Sequence, residues 1–562
     1  MSKKVPLINA SRANRPRNAF DLSQKHLFTA HAGMLLPVMT MDLIPHDHVS
    51  IQATDFMRCL PMNSAAFMSM RGVYEFFFVP YSQVWHPFDQ FITGMNDYRS
   101  TLSYNQQQGK APFVVPSVLR MVILNQLTLP EKSLIKNKKD IFGYEVKNNA
   151  MRLLDLLGYG VYLNSDGTVR NPEYMKNVGK DEKLSLFRLA AYQKIYFDYY
   201  RNNTYEPVDV TSFSLDDLTQ DIKIEDFFKR LCVLRYRNAQ LDYFTNLRPT
   251  PLFDFQNPSF DGRGSDEKQA FFVNGDNGVR IKGDSDYTAI LQPFVDGSKD
   301  SFVTVNDIRN AFALDKLLEV TQRAGKTYAE QIKAHFGYDV SEGRDGTVNY
   351  LGGFDCNIQV GDVTHTSGTS ASPEQGISIK HGGYLGRVTG KAQGSGTGHI
   401  EFDAKEHGIM MCIYSLVPDM QYDSTRIDPF VTKLSRGDFF IPEFEDLGMQ
   451  PLQTRYISDI GSQKEKFKGW QPRYSEYKTA LDINHGQFAN NQPLSYWTIG
   501  RGRANETLDT FNIASLKINP KWLDSVFAVN YNGTQLTDCC FGGCQFQIQK
   551  VSDMSVDGVP RV

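Results

Sequence analysis

The stretch at residues 71–91 constrains the fold more than any other part of the chain. It reads RGVYEFFFVPYSQVWHPFDQF, with three adjacent Phe residues followed by a β-branched Val. Such a run predicts a β-strand that buries both of its faces. Pro80 should end the strand, because proline has no N–H to donate to a neighbouring strand. The aromatic residues that follow indicate a segment packed on all sides, by the chain's own loops or by neighbouring subunits.

The composition is that of a large globular protein. The chain has 562 residues, of which 41% are hydrophobic and 12% aromatic, which is enough apolar material for a large core. Its formal net charge is −3, so no overall positive field attracts it to DNA. Any contact with nucleic acid must therefore come from a local basic patch.

The cysteines and the N-terminus bear on where the chain is made. Seven cysteines are scattered through the sequence, which argues against a secreted disulfide framework and predicts reduced thiols. No apolar segment of the signal-peptide type follows Lys3 and Lys4. No apolar run approaches the ~20 residues that span a bilayer. The sequence predicts a soluble, cytosolic chain without membrane insertion.

Strand patterns occupy both ends of the chain and helical patterns its middle. Strands are predicted at residues 49–54, 409–417, 526–529 and 544–551. Helices are predicted at 184–201, at 214–230 and twice within 305–337, while 382–398 reads as a glycine-rich flexible link. Strands this far apart must pair across the whole chain, as in a two-sheet sandwich such as the jelly roll.

Several short motifs are spread along the chain in a characteristic order. They include DLSQKH and AGMLLP within residues 21–37, FFFVP at 76–80 and FRLAAYQKIYFDYYR at 187–201. DYFT at 242–245, residues 309–337, YLGG at 350–353, EHG at 406–408 and PRYSEYK at 472–478 follow. Together they resemble the major capsid proteins of the Microviridae, of the gokushovirus-like or a related branch. Phe187 departs from the pattern, since many relatives have proline there.

The resemblance implies a fold and a function. The fold would be mainly β, an eight-stranded antiparallel jelly-roll β-barrel with large inserted loops and several helices. We expect a basic arm at 1–25 and a single domain over 26–562. Helical and loop insertions would occupy about 140–350, including a surface loop at about 251–301.

The function implied by the resemblance is structural. Pentamers would assemble into a T=1 icosahedral shell around circular single-stranded DNA, with outer loops used in host attachment. Expected partners are a minor capsid or DNA pilot protein, an internal scaffolding protein and a host-cell surface receptor. The chain would be made in the bacterial host cytoplasm and reside in the virion. The alternative from the residues alone is a β-sandwich carbohydrate-active enzyme or binding protein.

Two groups of basic residues are candidates for DNA contact. The first lies on the N-terminal arm and comprises Lys3, Lys4, Arg12, Arg15 and Arg17. These side chains could touch phosphates inside a shell, or the arm could instead stabilise neighbouring subunits. The second comprises Lys229, Arg230, Arg235, Tyr236 and Arg237. Its bases could bind phosphates while the ring stacks on an unpaired base; the alternative is an ordinary helix end.

No residue pattern predicts catalysis, a metal or a cofactor. The sequence from His46 to His48 reads as a turn rather than an incomplete metal site. Lys391 lacks the glycine spacing and the Ser/Thr of a phosphate loop. Cys539, Cys540 and Cys544 lack the paired spacing of a zinc site and are predicted to be buried thiols.

Overall fold

The computed structural model describes most of the chain from Arg17 to Val556. Within that span the description leaves out residues 61, 63–65, 95–113, 129–133, 136, 161–181, 219–221, 250–271, 274–278, 283–289, 294–312, 314–315, 318–319, 322–327, 338–345, 365–387, 424–426, 446–447, 454–455, 457–466, 490–491, 502–512, 524–525, 528–529, 532–533 and 536–537.

Nine strands form one large antiparallel sheet. They are β1 (Asn18–Asp21), β2 (Gln24–Ala30), β3 (Leu36–Leu43), β4 (His48–Cys59), β5 (Met70–Pro80), β6 (Asn349–Thr364), β7 (Val388–Asp403), β8 (Gly408–Pro418) and β9 (Cys540–Ser552). β1 and β2 both pair with β9, and the sheet continues through β4, β7, β6, β5 and β8 to β3. N-terminal strands therefore pair with C-terminal strands, as the sequence pattern predicts. The strands predicted at 49–54, 409–417 and 544–551 are confirmed as parts of β4, β8 and β9.

The sheet curls on itself. Residues 31–35 alone separate β2 from β3, yet these strands lie at opposite ends of the sheet. The ends must therefore approach each other. The ring of Phe28 on β2 lies 4.9 Å from the ring of Tyr414 on β8, measured between centroids. The protein is thus mainly β, with a curled sheet that forms a half-barrel and several helices outside it.

β5 has both faces buried, as the sequence predicts. Phe76 and Phe78 point into the curl, where the Phe76 ring lies 6.3 Å from that of Phe546 on β9. Phe77 and Val79 point the other way, into a second apolar cluster formed largely by helices. Because side chains alternate along a strand, the continuous apolar run of β5 places side chains both in the interior of the curled sheet and in the cluster formed by the helices. We call these helices the helical layer.

Helices and small sheets surround the large sheet. The α-helices include Tyr81–Val84, Phe88–Thr93, Arg120–Thr128, Val146–Leu156, Phe187–Ile195, Ile224–Asp226, Tyr328–Phe336, Pro442–Glu445, Ser475–Lys478 and Ile513–Leu516, with π-helices at Tyr196–Tyr200 and Phe227–Leu231. The 3₁₀-helices include Val210–Ser212, Pro429–Thr432, Arg436–Asp438, Gly486–Phe488, Ser495–Trp497 and Pro520–Leu523. Short paired strands include Ser117–Leu119 with Lys183–Ser185, Phe272–Val273 with Val279–Lys282 and Ile290–Pro293, Gln421–Asp423 with Ile483–Asn484 and Gly500–Arg501, Met449–Gln453 with Phe467–Pro472, and Asn530–Tyr531 with Thr534–Gln535. Among the described residues, no helix is long and apolar enough to cross a membrane.

The helix predictions have mixed outcomes. The helix predicted at 184–201 is confirmed by Phe187–Ile195 and its π-helical continuation. Among its described residues, the helix predicted at 214–230 forms only in the last part, from Ile224. Ser214 instead donates its hydroxyl to the Asp216 carboxylate at 2.8 Å. Such local side-chain bonds compete with helix formation.

Both helices predicted in the region 305–337 are helical where the structure describes them, the first at residues 313, 316–317 and 320–321 and the second over most of its length. Tyr328–Phe336 is helical, and Gly337 follows it with φ of +69°. A glycine in the left-handed conformation is a common helix end, so this boundary is confirmed. Much of the other predicted helix lies outside the described residues. The strand predicted at 526–529 is wrong at Val526, which lies in a turn.

The glycine-rich link predicted at 382–398 is wrong from Val388 onward, because that part is strand β7 in the middle of the sheet. The glycines fit there because β6 packs closely against them. A Cβ on Gly398 would lie 2.3 Å from Cδ1 of Phe354, and one on Gly394 would lie 2.6 Å from the Asn357 carbonyl oxygen. Residues 382–387 lie outside the described residues.

Replacing Gly398 by Val should destabilise the fold. The added side chain would force Phe354 or the β6 backbone to move, and overpacking of this kind costs about 1–3 kcal/mol. The free energy of unfolding in urea measures the effect. Thr397→Val is the matched control, because Thr397 is exposed on the opposite face of the same strand. Equal stability of the two variants would contradict this account of β7.

Candidate nucleic-acid interface

The described end of the N-terminal arm is attached to the large sheet. Arg17 donates to the backbone carbonyl of His46 at 2.7 Å and pairs with Asp553 at 3.4 Å. The other predicted DNA contacts of this arm, Lys3, Lys4, Arg12 and Arg15, lie outside the described residues. Their contact with DNA stays a prediction.

The second basic group is contiguous in sequence but is not brought together in space. Lys229 is exposed and pairs with Glu225 at 2.6 Å, one helical turn earlier. Arg230 pairs with Asp217 at 2.9 Å. Both side chains therefore already have carboxylate partners within the chain.

Arg235 is partly buried and Tyr236 is buried, and both have partners within the subunit. The Arg235 guanidinium lies 4.7 Å from the centroid of the Tyr196 ring and donates to Oε1 of Gln193 at 2.7 Å. Burial lowers the pKa of Arg235. The Tyr236 hydroxyl donates to Asp140 at 2.5 Å, and burial raises its pKa. These contacts occupy the polar groups of both side chains within the subunit.

Arg237 lies at the edge of a large cleft. It pairs with Glu75 on β5 at 2.5 Å and donates to the Ser415 hydroxyl at 2.9 Å. Burial alone would lower the pKa of Arg237. The Glu75 carboxylate, together with Tyr200 and Asp355, outweighs burial and raises this pKa. The guanidinium also lies 5.5 Å from the centroid of the Tyr200 ring. The side chain is therefore fixed, with Glu75 as its counter-charge.

The cleft has a volume of about 860 Å³ and combines arginine, tyrosine and asparagine side chains. We call it the arginine–tyrosine cleft; its lining includes Arg71, Arg237, Arg248, Tyr199, Tyr200, Asn202, Asn203 and Tyr350. Tyr199 and Tyr350 are 44% and 46% exposed. Their rings lie 5.0 and 5.4 Å from that of Phe77, which supports both from the sheet.

Two of the three arginines that line the arginine–tyrosine cleft pair with carboxylates. Arg71 pairs with Asp355 at 3.2 Å, as Arg237 does with Glu75. Burial lowers the pKa of Arg248. Exposed rings beside guanidinium and amide groups suit the stacking and hydrogen bonding of unpaired bases. Binding here would depend more on stacking than on net positive charge.

Sequence reasoning missed Tyr199 and Tyr350 as site residues. Both lie within motifs that carry the family resemblance, at 187–201 and 350–353, yet they are far apart in the chain. Their rings approach to 5.9 Å because the helical layer packs on the outer face of β5 and β6. The local sequence does not encode that packing.

Other residues considered from the sequence have structural partners. His46 pairs with Asp553 at 2.9 Å and His48 with Asp403 at 2.8 Å, so the two histidines face different carboxylates. Across the described parts of the chain, no group of three His, Cys, Asp or Glu side chains could hold a metal ion. Lys391 lies in strand β7 rather than in a phosphate-binding loop.

The structure defines a mainly β protein built on one large curled antiparallel sheet, with helices and long inserted segments around it. The chain belongs to the capsid protein (F protein) family, whose model matches residues 8–140 and 172–562. It is similar to capsid protein VP1 of Chlamydia phage 1, with 24% identity and 94% of each chain covered. It is also similar to capsid protein VP1 of Bdellovibrio phage phiMH2K, with 22% identity over 82% of this chain and 81% of the relative. Both phages are Microviridae, and this membership indicates a structural protein.

Proposed function

We propose that the chain is the major coat subunit of a small phage and that its pentamers close into a T=1 shell around circular single-stranded DNA. The family match along nearly the whole chain carries this proposal. The curled sheet would be the shell-forming core of an eight-stranded jelly roll with an additional strand. Loops near 251–301 would face outward and contact a receptor on the host.

An exposed apolar surface supports assembly. We call it the assembly patch; it consists of Ile427, Phe430, Val431, Leu434, Phe439, Phe440, Phe444 and Tyr477. Leu434 is 90% exposed and Val431 is 74% exposed. An aromatic side chain carries ~150–250 Å² of surface, and the five aromatic residues of the patch are roughly half exposed, so they alone leave roughly 500 Å² of apolar area open to solvent. This area is near the upper end of the range for the largest apolar patch on a monomeric protein, and patches of this size mark interaction sites.

The assembly patch is held in a fixed shape. Lys433 and Glu476 beneath it form an ion pair at 2.6 Å, with side-chain exposures of 6% and 9%. The Lys433 ammonium also lies 4.2 Å from the centroid of the Tyr477 ring. Asp438 accepts the backbone N–H groups of Leu434 and Ser435. A preformed apolar surface loses little conformational entropy when a neighbouring subunit covers it.

DNA contact is the second part of the proposal. Lys3, Lys4, Arg12, Arg15 and Arg17 on the arm would neutralise phosphates. Lys229 and Arg230 would add phosphate contacts if they face the interior of the shell, where phosphates would compete with their partners Glu225 and Asp217. The arginine–tyrosine cleft would take unpaired bases. The described geometry favours this cleft over Arg235 and Tyr236, whose side chains are held by partners within the subunit.

Further partners follow from the coat-protein proposal. An internal scaffolding protein would assist closure of the shell in the host cytoplasm, and a minor capsid or DNA pilot protein would occupy the virion. Sedimentation of the chain expressed with and without its neighbouring genes tests the need for such proteins. Shells formed by the chain alone would argue against a required scaffold.

Removing both exposed rings of the cleft should weaken binding to single-stranded DNA. Stacking contributes about 1–3 kcal/mol per base, so Tyr199→Ala with Tyr350→Ala should lower affinity for an oligothymidylate at least roughly tenfold. Fluorescence anisotropy measures the affinity. Tyr496→Ala is the control, because this tyrosine is 40% exposed and lies outside the cleft lining. Unchanged affinity of the double variant, with normal folding by circular dichroism, would remove the cleft from the proposal.

A further inference from the structure

Two cysteines face each other where the C-terminal strand joins the rest of the sheet. Cys59 is the last residue of β4 and Cys540 is the first residue of β9, and the two are direct partners in the antiparallel register. Their sulfur atoms are 2.7 Å apart. Both are free thiols in the structure. The two residues are 481 positions apart in the chain.

The backbone geometry at this pair suits a disulfide. Leu60 donates its backbone N–H to the carbonyl of Cys539 at 2.9 Å, so the pair next to Cys59 and Cys540 is the hydrogen-bonded one. Cys59 and Cys540 therefore occupy a non-hydrogen-bonded position, where opposite Cα atoms are ~4.5 Å apart. Disulfides accept Cα separations of ~4.4–6.8 Å. No change of register is needed to bring the sulfur atoms to bonding distance.

The neighbouring thiol, Cys539, faces different partners. Its sulfur lies 3.6 Å from the carbonyl oxygen of Ala30 and 3.8 Å from Nδ1 of His31. Burial opposes ionisation of Cys539, but the hydrogen bond with Cys540 and the neighbouring His31 outweigh burial and lower its pKa. Cys539 is fully buried, however, so a soluble reagent does not reach it first. A bond between the consecutive residues Cys539 and Cys540 would require strained geometry, which favours the cross-strand pair.

We propose that Cys59 and Cys540 are an oxidation site that closes into a cross-strand disulfide when the folded chain meets a small soluble disulfide. Cys59 is 7% exposed and Cys540 is fully buried, so the reagent reaches Cys59 first. The Cys59 thiolate attacks one sulfur of the reagent, and one reagent thiol leaves. The Cys540 thiol, whose pKa is raised by burial, then gives up its proton as it attacks the Cys59 sulfur, and the second reagent thiol is released. The two protein thiols give up two electrons and two protons, and the reagent disulfide is reduced to two thiols.

The bond would fasten the C-terminal strand to β4. Nearly the whole chain would lie inside the closed loop, and long loops gain most from a cross-link because the unfolded state loses more freedom. The thiols would stay reduced in a reducing cytosol and close in an oxidising medium. The oxidised chain should therefore unfold at a higher temperature than the reduced chain.

The test uses the purified full chain and cystamine as the small disulfide. After reaction the protein is denatured, its remaining thiols are alkylated, and they are counted by intact mass. Of the seven cysteines of the chain, five should be alkylated and two should be joined in the disulfide. Peptide mapping should show one linked pair containing Cys59 and Cys540. The melting temperature should rise, and dithiothreitol should reverse the rise.

Two variants make the assignment specific. Cys59→Ser should retain all its remaining thiols and show no rise in melting temperature. Cys232→Ser is the matched control, because Cys232 is buried elsewhere, next to the carbonyl of Ala150, and should still form the bond. Seven alkylated cysteines in the treated wild-type chain, or linkage of Cys539 instead of Cys59, would overturn the proposal. Mapping of the wild-type chain gives this answer even if Cys59→Ser does not fold.

Discussion

Replacing Val431 and Leu434 together by Asp should give a folded chain that no longer forms shells. These side chains are 74% and 90% exposed, so the substitutions cost the isolated subunit little. At a covered subunit contact they would bury two unpaired charges, which is strongly unfavourable. Sedimentation and electron microscopy measure assembly, while circular dichroism reports folding. We expect the melting temperature of the isolated subunit to stay near that of the wild type.

The control for this experiment keeps the apolar surface. Val431→Ile with Leu434→Met preserves apolar area at both positions and should assemble normally. If the Asp variant sediments with wild-type shells, the assembly patch is not a subunit contact, although the coat-protein proposal would stand. If the wild-type chain never assembles under conditions that include its neighbouring genes, the coat-protein proposal itself fails.

Phe76→Ala should be among the most damaging single substitutions in the chain. The Phe76 side chain is fully buried, on the inner face of the central strand β5. Removing a large aromatic from such a site costs about 3–5 kcal/mol, which is a large share of the ~5–15 kcal/mol that stabilises a typical domain. Urea unfolding of the unassembled subunit measures the change. A yield of soluble protein too low for that measurement would also agree with the expected loss.

Phe541→Ala is the matched control for this prediction. Phe541 is also on a strand of the large sheet, but it is 40% exposed. Its replacement should cost less than about 1 kcal/mol, as is usual for substitutions away from the core. Similar losses at the two positions would contradict the assignment of Phe76 to the interior of the curled sheet.

The strands that the sequence predicts best are those whose own apolar pattern shows which faces are buried. In β4 the alternation of apolar and polar residues determines which side chains lie inside, and in β5 and β8 a continuous apolar run indicates that both faces are buried. β7 could not be predicted in this way. Its glycines suggest a flexible link until Phe354 and the rest of β6 are seen to fill the space where side chains would be.

The candidate site shows the same limit. The basic run from Lys229 to Arg237 is adjacent in sequence, but it passes from a helix end into extended chain, where successive side chains point to opposite sides. Its members therefore have different partners. Tyr199 and Tyr350 meet only through the packing of the helical layer on β5 and β6. A contact made by tertiary packing leaves no local signal.

The most direct test of the account is cryo-electron microscopy of particles from cells that express the chain together with the neighbouring genes and a circular single-stranded DNA. The account predicts closed T=1 shells with nuclease-protected DNA, the assembly patch covered by an adjacent subunit, and the arginine–tyrosine cleft open to the interior. Soluble monomers under every condition, or shells in which Leu434 faces solvent and the cleft faces outward, would contradict it.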